Sequence, residues 1–397
     1  MKQSYYGGTS YFDSAISASE ASSYYGMLYF MRALVLIYAL AVCSARAQES
    51  NPDQLLNSAI DAQQRGDFET AIHDYRKVLE LRPGTVEARV NLGAALTHEG
   101  QYDAAIAEYR SALPFVQQKN PILLNIALAY YKKGDFENAR TQFAAVHKVQ
   151  PDDARIAVLL SDTDLHLGDP SAALSVLTPF AARETQNLDF DFVYGSALIR
   201  TGSRLEGIDR IEKVARAGSA DAYMLAGATL LQINEFERAR RDLDAALKLN
   251  DKLQGIYTLA GTARDKTGDV KEAEVAFRQA LKANSNDFEA NLYLGAILTK
   301  RREFDEADTY LNRALQLKPT SSMARYEFAI LKSTSGQYEA AAASLEELVK
   351  DDPGWLEPHV ELASLYYRLH RPADGVKERQ VVEKITADQQ AKGPISR

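Results

Sequence analysis

The chain has 397 residues, of which 46% are hydrophobic and 25% are charged, and these values are ordinary for a folded protein. Its formal net charge of −8 argues against a surface that follows the phosphates of a nucleic acid. Cys43 is the only cysteine, which excludes a disulfide framework and a cysteine-based metal site within the chain.

The N-terminal segment differs in composition from the rest of the chain. Residues 1–26 are rich in serine, tyrosine and glycine and show neither a helical nor a strand period. Arg32, the apolar run 33–42 and a small-residue cleavage site at Ala45–Ala47 then follow in the order of a secretory signal peptide. We therefore predict that residues 1–47 are an N-terminal extension plus a signal peptide.

This segment predicts export, with a mature periplasmic protein that begins near Gln48. A membrane anchor over residues 27–45 is the alternative, and it would place Arg32 inside the bilayer at a cost of about 3 kcal/mol. Acylation of Cys43, or a true start at Met31, is a further interpretation of the same residues. Any association with a membrane would come from this segment alone.

Beyond the N-terminal segment, apolar residues recur every three or four places, which is the period of amphipathic helices. The clearest example is the stretch 120–153, where Gly134 ends one helix and Asp135 caps the next. Ala127 in the first helix and Ala139 in the second would let the two backbones approach closely. The stretch therefore predicts a hairpin of two antiparallel helices.

These two small positions recur along the remaining chain 34 residues apart, except for one step of 32 in each series, from Gly195 to Gly227 and from Gly207 to Ala239. The frame therefore loses two residues near 217–219. Just before that point, Gly207 and Ile211 replace the usual alanine and aromatic residue, so we expect the array to bend or loosen there. The first series is Ala59, Gly93, Ala127, Ser161, Gly195, Gly227, Gly261, Gly295, Ala329 and Ala363, and the second is Ala71, Ala105, Ala139, Ala173, Gly207, Ala239, Ala273, Ala307, Ala341 and Gly375.

A small residue, a glycine seven places later, an alanine five after that, an aromatic residue four further on and then a proline resemble the tetratricopeptide repeat. The resemblance covers about residues 52–390. It implies an all-α fold, a right-handed superhelical solenoid of about ten antiparallel helix pairs. Repeats one to five occupy 52–218 and repeats six to ten occupy 219–392, where a highly charged last helix suits a terminal cap, and 393–397 form a tail.

Three asparagines form the one polar column that stands out: Asn57, Asn91 and Asn125 precede the first small position by two residues in repeats one to three. An amide both donates and accepts hydrogen bonds, so it can pair with the backbone of an extended peptide. First helices line the concave surface in the family, so the resemblance implies a peptide-binding role; an asparagine that is simply common at this place is the alternative. His98 and Tyr131 complete the predicted peptide-binding set.

Catalytic motifs are missing from the sequence, which contains no GxxxxGK[ST], GxSxG or HExxH pattern. The six histidines are scattered without metal-ligand spacing, so we predict no enzyme, no metal and no cofactor. Asp162 with Asp164, and Asp189 with Asp191, are candidate carboxylate pairs, but residues two apart on a helix point to different faces. A helical-toroid glycoside hydrolase, which needs two facing carboxylates, is therefore the remote alternative.

We predict a non-enzymatic scaffold or adaptor that binds an extended segment of a partner protein, and no nucleic acid, in the concave groove of the repeat array. The alternative is a structural component of a cell-envelope secretion or export assembly, which would use the convex or end surfaces. Binding defects confined to the groove would favour the first hypothesis, and defects spread over outer surfaces would favour the second.

Overall fold

The computed structural model of the chain describes residues 51–391, so the predictions for residues 1–47, Cys43 included, and for the tail lie outside the described residues. Within residues 51–391 the chain folds into 20 α-helices and two short 3-10 turns, and consecutive helices pack in pairs. The predicted all-α class and the arrangement of about ten helix pairs are therefore confirmed. None of the helices in this range is both long enough and apolar enough to cross a membrane.

The described helices belong to two compact units, which end at Val146 and begin at His147 respectively. The first contains α1 (Pro52–Gln64), α2 (Phe68–Leu81), α3 (Val86–His98), α4 (Tyr102–Ala112), the turn Leu113–Phe115, α5 (Asn120–Lys133) and most of α6 (Phe136–Val149). The second contains α7 (Ala154–His166), α8 (Pro170–Leu177), the turn Thr178–Phe180, α9 (Leu188–Thr201), α10 (Arg204–Arg216), α11 (Ala220–Gln232), α12 (Phe236–Leu249), α13 (Ile256–Lys266), α14 (Val270–Ala283), α15 (Phe288–Lys300), α16 (Phe304–Leu317), α17 (Ser322–Thr334), α18 (Tyr338–Asp351), α19 (Leu356–Arg368) and α20 (Pro372–Ala391).

The turn between the two helices of a repeat uses a residue with left-handed backbone conformation. Gly134 ends α5 with φ of 81°, which costs glycine nothing because it has no Cβ. Asn234, Arg302 and His370 adopt the same conformation, with φ of 62°, 65° and 58°. Asparagine tolerates this region better than arginine does, so the left-handed conformation is less favourable at Arg302 than at Asn234.

All twenty predicted small positions are buried, because they lie where the two helices of a repeat cross. In repeats one to nine a large residue of the second helix fills the space beside the crossing. A Cβ atom added to Gly93 would lie 2.6 Å from the ring of Tyr109, and one added to Gly261 would lie 2.7 Å from the ring of Phe277. At these crossings a larger side chain would clash with the ring of the second helix, which explains why the positions hold small residues.

Repeat five packs differently from its neighbours at its helix crossing. Gly195 and Gly207 face each other, and a Cβ atom on Gly207 would lie 2.7 Å from the carbonyl oxygen of Gly195. The two backbones therefore approach closely, while Ile208 and Ile211 are fully buried in place of the usual aromatic residue. The missing alanine and aromatic residue thus give no reason for a loose repeat, and the expected loosening stays a prediction.

The two-residue deletion after repeat five is divided between a helix and a loop. Helix α10 has 13 residues, whereas α12, the second helix of the next repeat, has 14. The loop that follows α10 comprises residues 217–219, one residue fewer than the loop between α14 and α15. At the other end of the array, α20 fully buries only Gly375, as a solvated terminal helix does.

Candidate protein-binding face

Helices α1, α3 and α5 are the first helices of repeats one to three, and they lie side by side within the first compact unit. Asn57, Asn91 and Asn125 occupy the same register on them, so all three lie on one surface, which we term the asparagine face. Asn57 is exposed, whereas Asn91 and Asn125 are half-buried. The structure therefore brings together the three asparagines that the sequence singled out.

Asn91 has a role inside the fold that the sequence did not reveal. The buried Tyr75 of α2 donates a hydrogen bond from its hydroxyl to Oε1 of Gln63, over 2.8 Å, and the same hydroxyl interacts with the Asn91 amide. Burial raises the pKa of Tyr75 from 10.0 to about 12. Asn91 thus contacts the preceding repeat through Tyr75, and its place in the predicted peptide-binding set stays a prediction.

Asn57 and Asn125 differ from Asn91, because neither side chain makes a hydrogen bond within the described part of the chain. Packed helices lie about 8–10 Å apart, so two such spacings separate the first and third of these helices by about 16–20 Å. An extended chain covers that distance in about five or six residues. The two free amides therefore have a spacing that suits a short extended segment.

His98 and Tyr131 take part in aromatic packing at the ends of their helices. The exposed His98 stacks on Phe68 of α2, with ring centroids 3.7 Å apart. The half-buried Tyr131 packs edge-to-face with Phe136 of α6, with ring centroids 5.4 Å apart. Both rings therefore take part in packing between neighbouring helices.

In the second compact unit, other residue types occupy the positions that correspond to the three asparagines. Val193 is buried in a cluster with Phe190 and Tyr194, so this position serves packing. Further along, Tyr293 and Glu327 are half-buried, and burial raises the pKa of both side chains. The polar first-helix surface with free amides is thus confined to repeats one to three among the described residues at this register.

The two members of each candidate carboxylate pair differ in burial. Asp189 is exposed, whereas Asp191 is completely buried and forms ion pairs with Arg210 at 2.8 Å and Lys213 at 2.9 Å. Asp162 is half-buried while Asp164 is buried. Neither pair has the facing arrangement that the hydrolase alternative requires. Within residues 51–391, no group of three or more histidine, cysteine, aspartate or glutamate side chains could hold a metal ion.

Comparison with protein families gives two matches, both described as tetratricopeptide repeat. One model matches residues 56–120, 124–178 and 258–322, and a second matches residues 220–253. Together they cover repeats in both compact units.

Among curated proteins, the chain is 23% identical over 268 residues to anaphase-promoting complex subunit 3 of Schizosaccharomyces pombe, which is 66% of this chain and 40% of that protein. It is 37% identical over 91 residues to the peroxisomal targeting signal receptor of Candida glabrata, 23% of this chain and 14% of that protein. The chain thus spans well under two thirds of these relatives. A solved tetratricopeptide repeat protein of Parabacteroides merdae is 16% identical, with a TM-score of 0.49 over 61% of this chain and 97% of that one.

Proposed function

Because the chain belongs to the tetratricopeptide repeat family, whose members are generally protein–protein interaction modules, we propose that it binds an extended segment of a partner protein on its asparagine face. The segment would lie across α1, α3 and α5. Its backbone N–H and C=O groups would pair with the side-chain amides of Asn57 and Asn125, which can both donate and accept.

The observation that carries this proposal is the contrast between the three asparagines. Asn91 is engaged by the fold, whereas Asn57 and Asn125 at the same register have no partner within the described residues. Amides that bind a peptide backbone do not depend on the sequence of the peptide, so the chemistry suits a scaffold or adaptor. Specificity would then come from contacts with neighbouring side chains such as His98 and Tyr131.

The names of two relatives agree with such a role. One is a subunit of a complex, and the other is a receptor for a targeting signal. Both names describe association with other proteins, and we extend only that general property to this chain. Catalysis is not part of the proposal, because neither candidate carboxylate pair faces a shared site.

We expect that replacing Asn57 and Asn125 together by alanine weakens binding of an extended peptide by about 30-fold. Each net hydrogen bond contributes about 1 kcal/mol, and two of them correspond to this change in Kd. Peptides selected from a displayed random library on the purified protein provide the ligand, and their Kd is measured by titration calorimetry with the parent and the double variant.

Two further variants serve as controls for this experiment. Asn138→Ala removes an exposed amide of α6 that bonds only to Asp135, and it should leave Kd unchanged. Asn91→Ala should lower the thermal stability through the loss of its contact with Tyr75. If the double variant binds the selected peptides as tightly as the parent, the two amides do not contact the ligand.

We also propose that the protein acts in the cell envelope after export, on the grounds of Arg32, the run 33–42 and the cleavage site at Ala45–Ala47. The expected result is a mature chain that begins at or near Gln48. Intact-mass spectrometry of the native protein measures this directly. A retained N-terminal segment, or a lipid on Cys43, would contradict cleavage at this site.

A further inference from the structure

A buried carboxylate without a partner lies at the contact between repeats five and six. Asp242 of α12 is 9% exposed, and its Oδ2 atom is buried and has no hydrogen-bond partner among the described residues. An ionised carboxylate is disfavoured when one of its oxygens has lost water without gaining a hydrogen-bond donor. The ionised form of Asp242 is therefore unfavourable in the folded protein.

The cations near Asp242 are already engaged by another carboxylate. Glu212 of α10 forms ion pairs with Arg238 of α12 at 2.8 Å and with Arg216 of its own helix at 3.3 Å. Arg241, next to Asp242 in the chain, is exposed. Asp242 thus shares its surroundings with a second negative charge, and no cation lies within ion-pair distance of it in the described structure.

The other helices packed beside α12 do not supply a compensating charge. Helix α11 carries Asp221 as its single charged residue, and this side chain is exposed. Helix α13 contributes Arg264, which is paired with Asp244 at 2.7 Å, together with Asp265 and Lys266 at its last turn. Proton uptake is the way in which Asp242 itself can lose its charge.

We propose that protonation of Asp242 controls the stability of the contact between α10 and α12, which we term the joint. The joint is more stable when Asp242 is protonated and less stable when the proton is released. In the protonated form the carboxyl group is neutral and becomes a hydrogen-bond donor, so the repulsion from Glu212 disappears. The joint lies at the place where the repeat frame loses two residues.

The pH range follows from the direction of the pKa shift. Burial, and then the charge of Glu212, raise the pKa of Asp242 from 3.8 to about 6, against the opposing effect of Arg241, Arg238 and Arg216. A raised pKa in the folded state means that stability is fully present below the unfolded value and is lost as the pH rises through about 6. Acidification from pH 7.5 to pH 5.5 should therefore lower the opening constant of the joint about fourfold.

Hydrogen exchange of the full chain, measured by mass spectrometry at both pH values and corrected for intrinsic rates, tests this proposal. In the parent, the opening constants of α10 and α12 should fall about fourfold on acidification, whereas those of α15 and α16 should not change. Asp242→Asn should show the low opening constants at both pH values. Asp221→Asn, which changes an exposed aspartate of α11, should behave as the parent does.

Two results would overturn the proposal: a parent whose joint opens equally at both pH values, or an Asp242→Asn variant that keeps the pH dependence of the parent. A titration of the Asp242 carboxyl carbon by NMR in the unmodified protein gives a measurement that does not depend on a variant that folds. A midpoint near pH 6 supports the joint, and a midpoint below pH 4.5 contradicts it.

Discussion

Asp191→Ala should destabilise repeat five by about 3 kcal/mol. The carboxylate is completely buried and binds both Arg210 and Lys213, so its removal leaves two cations without their partner in a largely desolvated place. Breaking a buried ion pair from one side costs about 3–5 kcal/mol. The cations are 21% and 40% exposed, and this partial access to water places the expected cost at the lower end.

The quantity to measure is the free energy of local unfolding from hydrogen exchange of the amides of α9 and α10. Asp189→Ala provides a matched control, because this aspartate is exposed and lies two residues away on the same helix. It should cost about 0.5 kcal/mol or less, the value of an acidic side chain in a first helical turn. Equal effects of the two variants would show that the buried ion pairs do not stabilise the repeat.

Gly207→Ala should destabilise the same repeat by about 2 kcal/mol, although it restores the alanine that most other repeats have. The new Cβ atom would lie 2.7 Å from the carbonyl oxygen of Gly195 and 2.7 Å from the side chain of Ile199, so the two helices would have to separate. Overpacking of a core costs about 1–3 kcal/mol, which exceeds the gain of about 1 kcal/mol from replacing a helical glycine by alanine.

Denaturant unfolding followed by circular dichroism, with exchange of the α9 and α10 amides, measures this change. The control is Glu206→Ala, which introduces the same residue at the preceding, exposed position of α10. It should change the stability by less than about 0.5 kcal/mol. A Gly207→Ala variant that is more stable than the parent would mean that α9 and α10 are not held in close backbone contact.

The repeat architecture was predictable from the sequence because it depends on local and periodic features. A helix crossing needs small residues at fixed intervals, so the 34-residue recurrence of positions such as Ala127 and Ala139 indicates both the helices and their pairing. The end of each first helix was predictable for the same reason, as with Gly134. Helix crossings and helix ends both depend on steric limits of the backbone, and the same limits apply in every repeat.

The contacts of individual polar side chains were not predictable in this way. The partner of Asn91 is Tyr75, which precedes it by 16 residues and belongs to the previous repeat. Asp191 finds its cations 19 and 22 residues further along the chain. The sequence suggests such pairs only once the packing between neighbouring helices is known. For this reason it grouped Asn91 with Asn57 and Asn125, although only Asn91 interacts with the Tyr75 hydroxyl.

The most direct test of the proposed binding face is to map where a bound peptide lies. A library-selected peptide that carries a photoreactive diazirine residue is crosslinked to the purified full chain, and the modified residues are identified by mass spectrometry. We expect the crosslinks to fall on the first helices of repeats one to three, within residues 52–64, 86–98 and 120–133. Crosslinks confined to the second helices, or to residues 147–391, would contradict binding on the asparagine face.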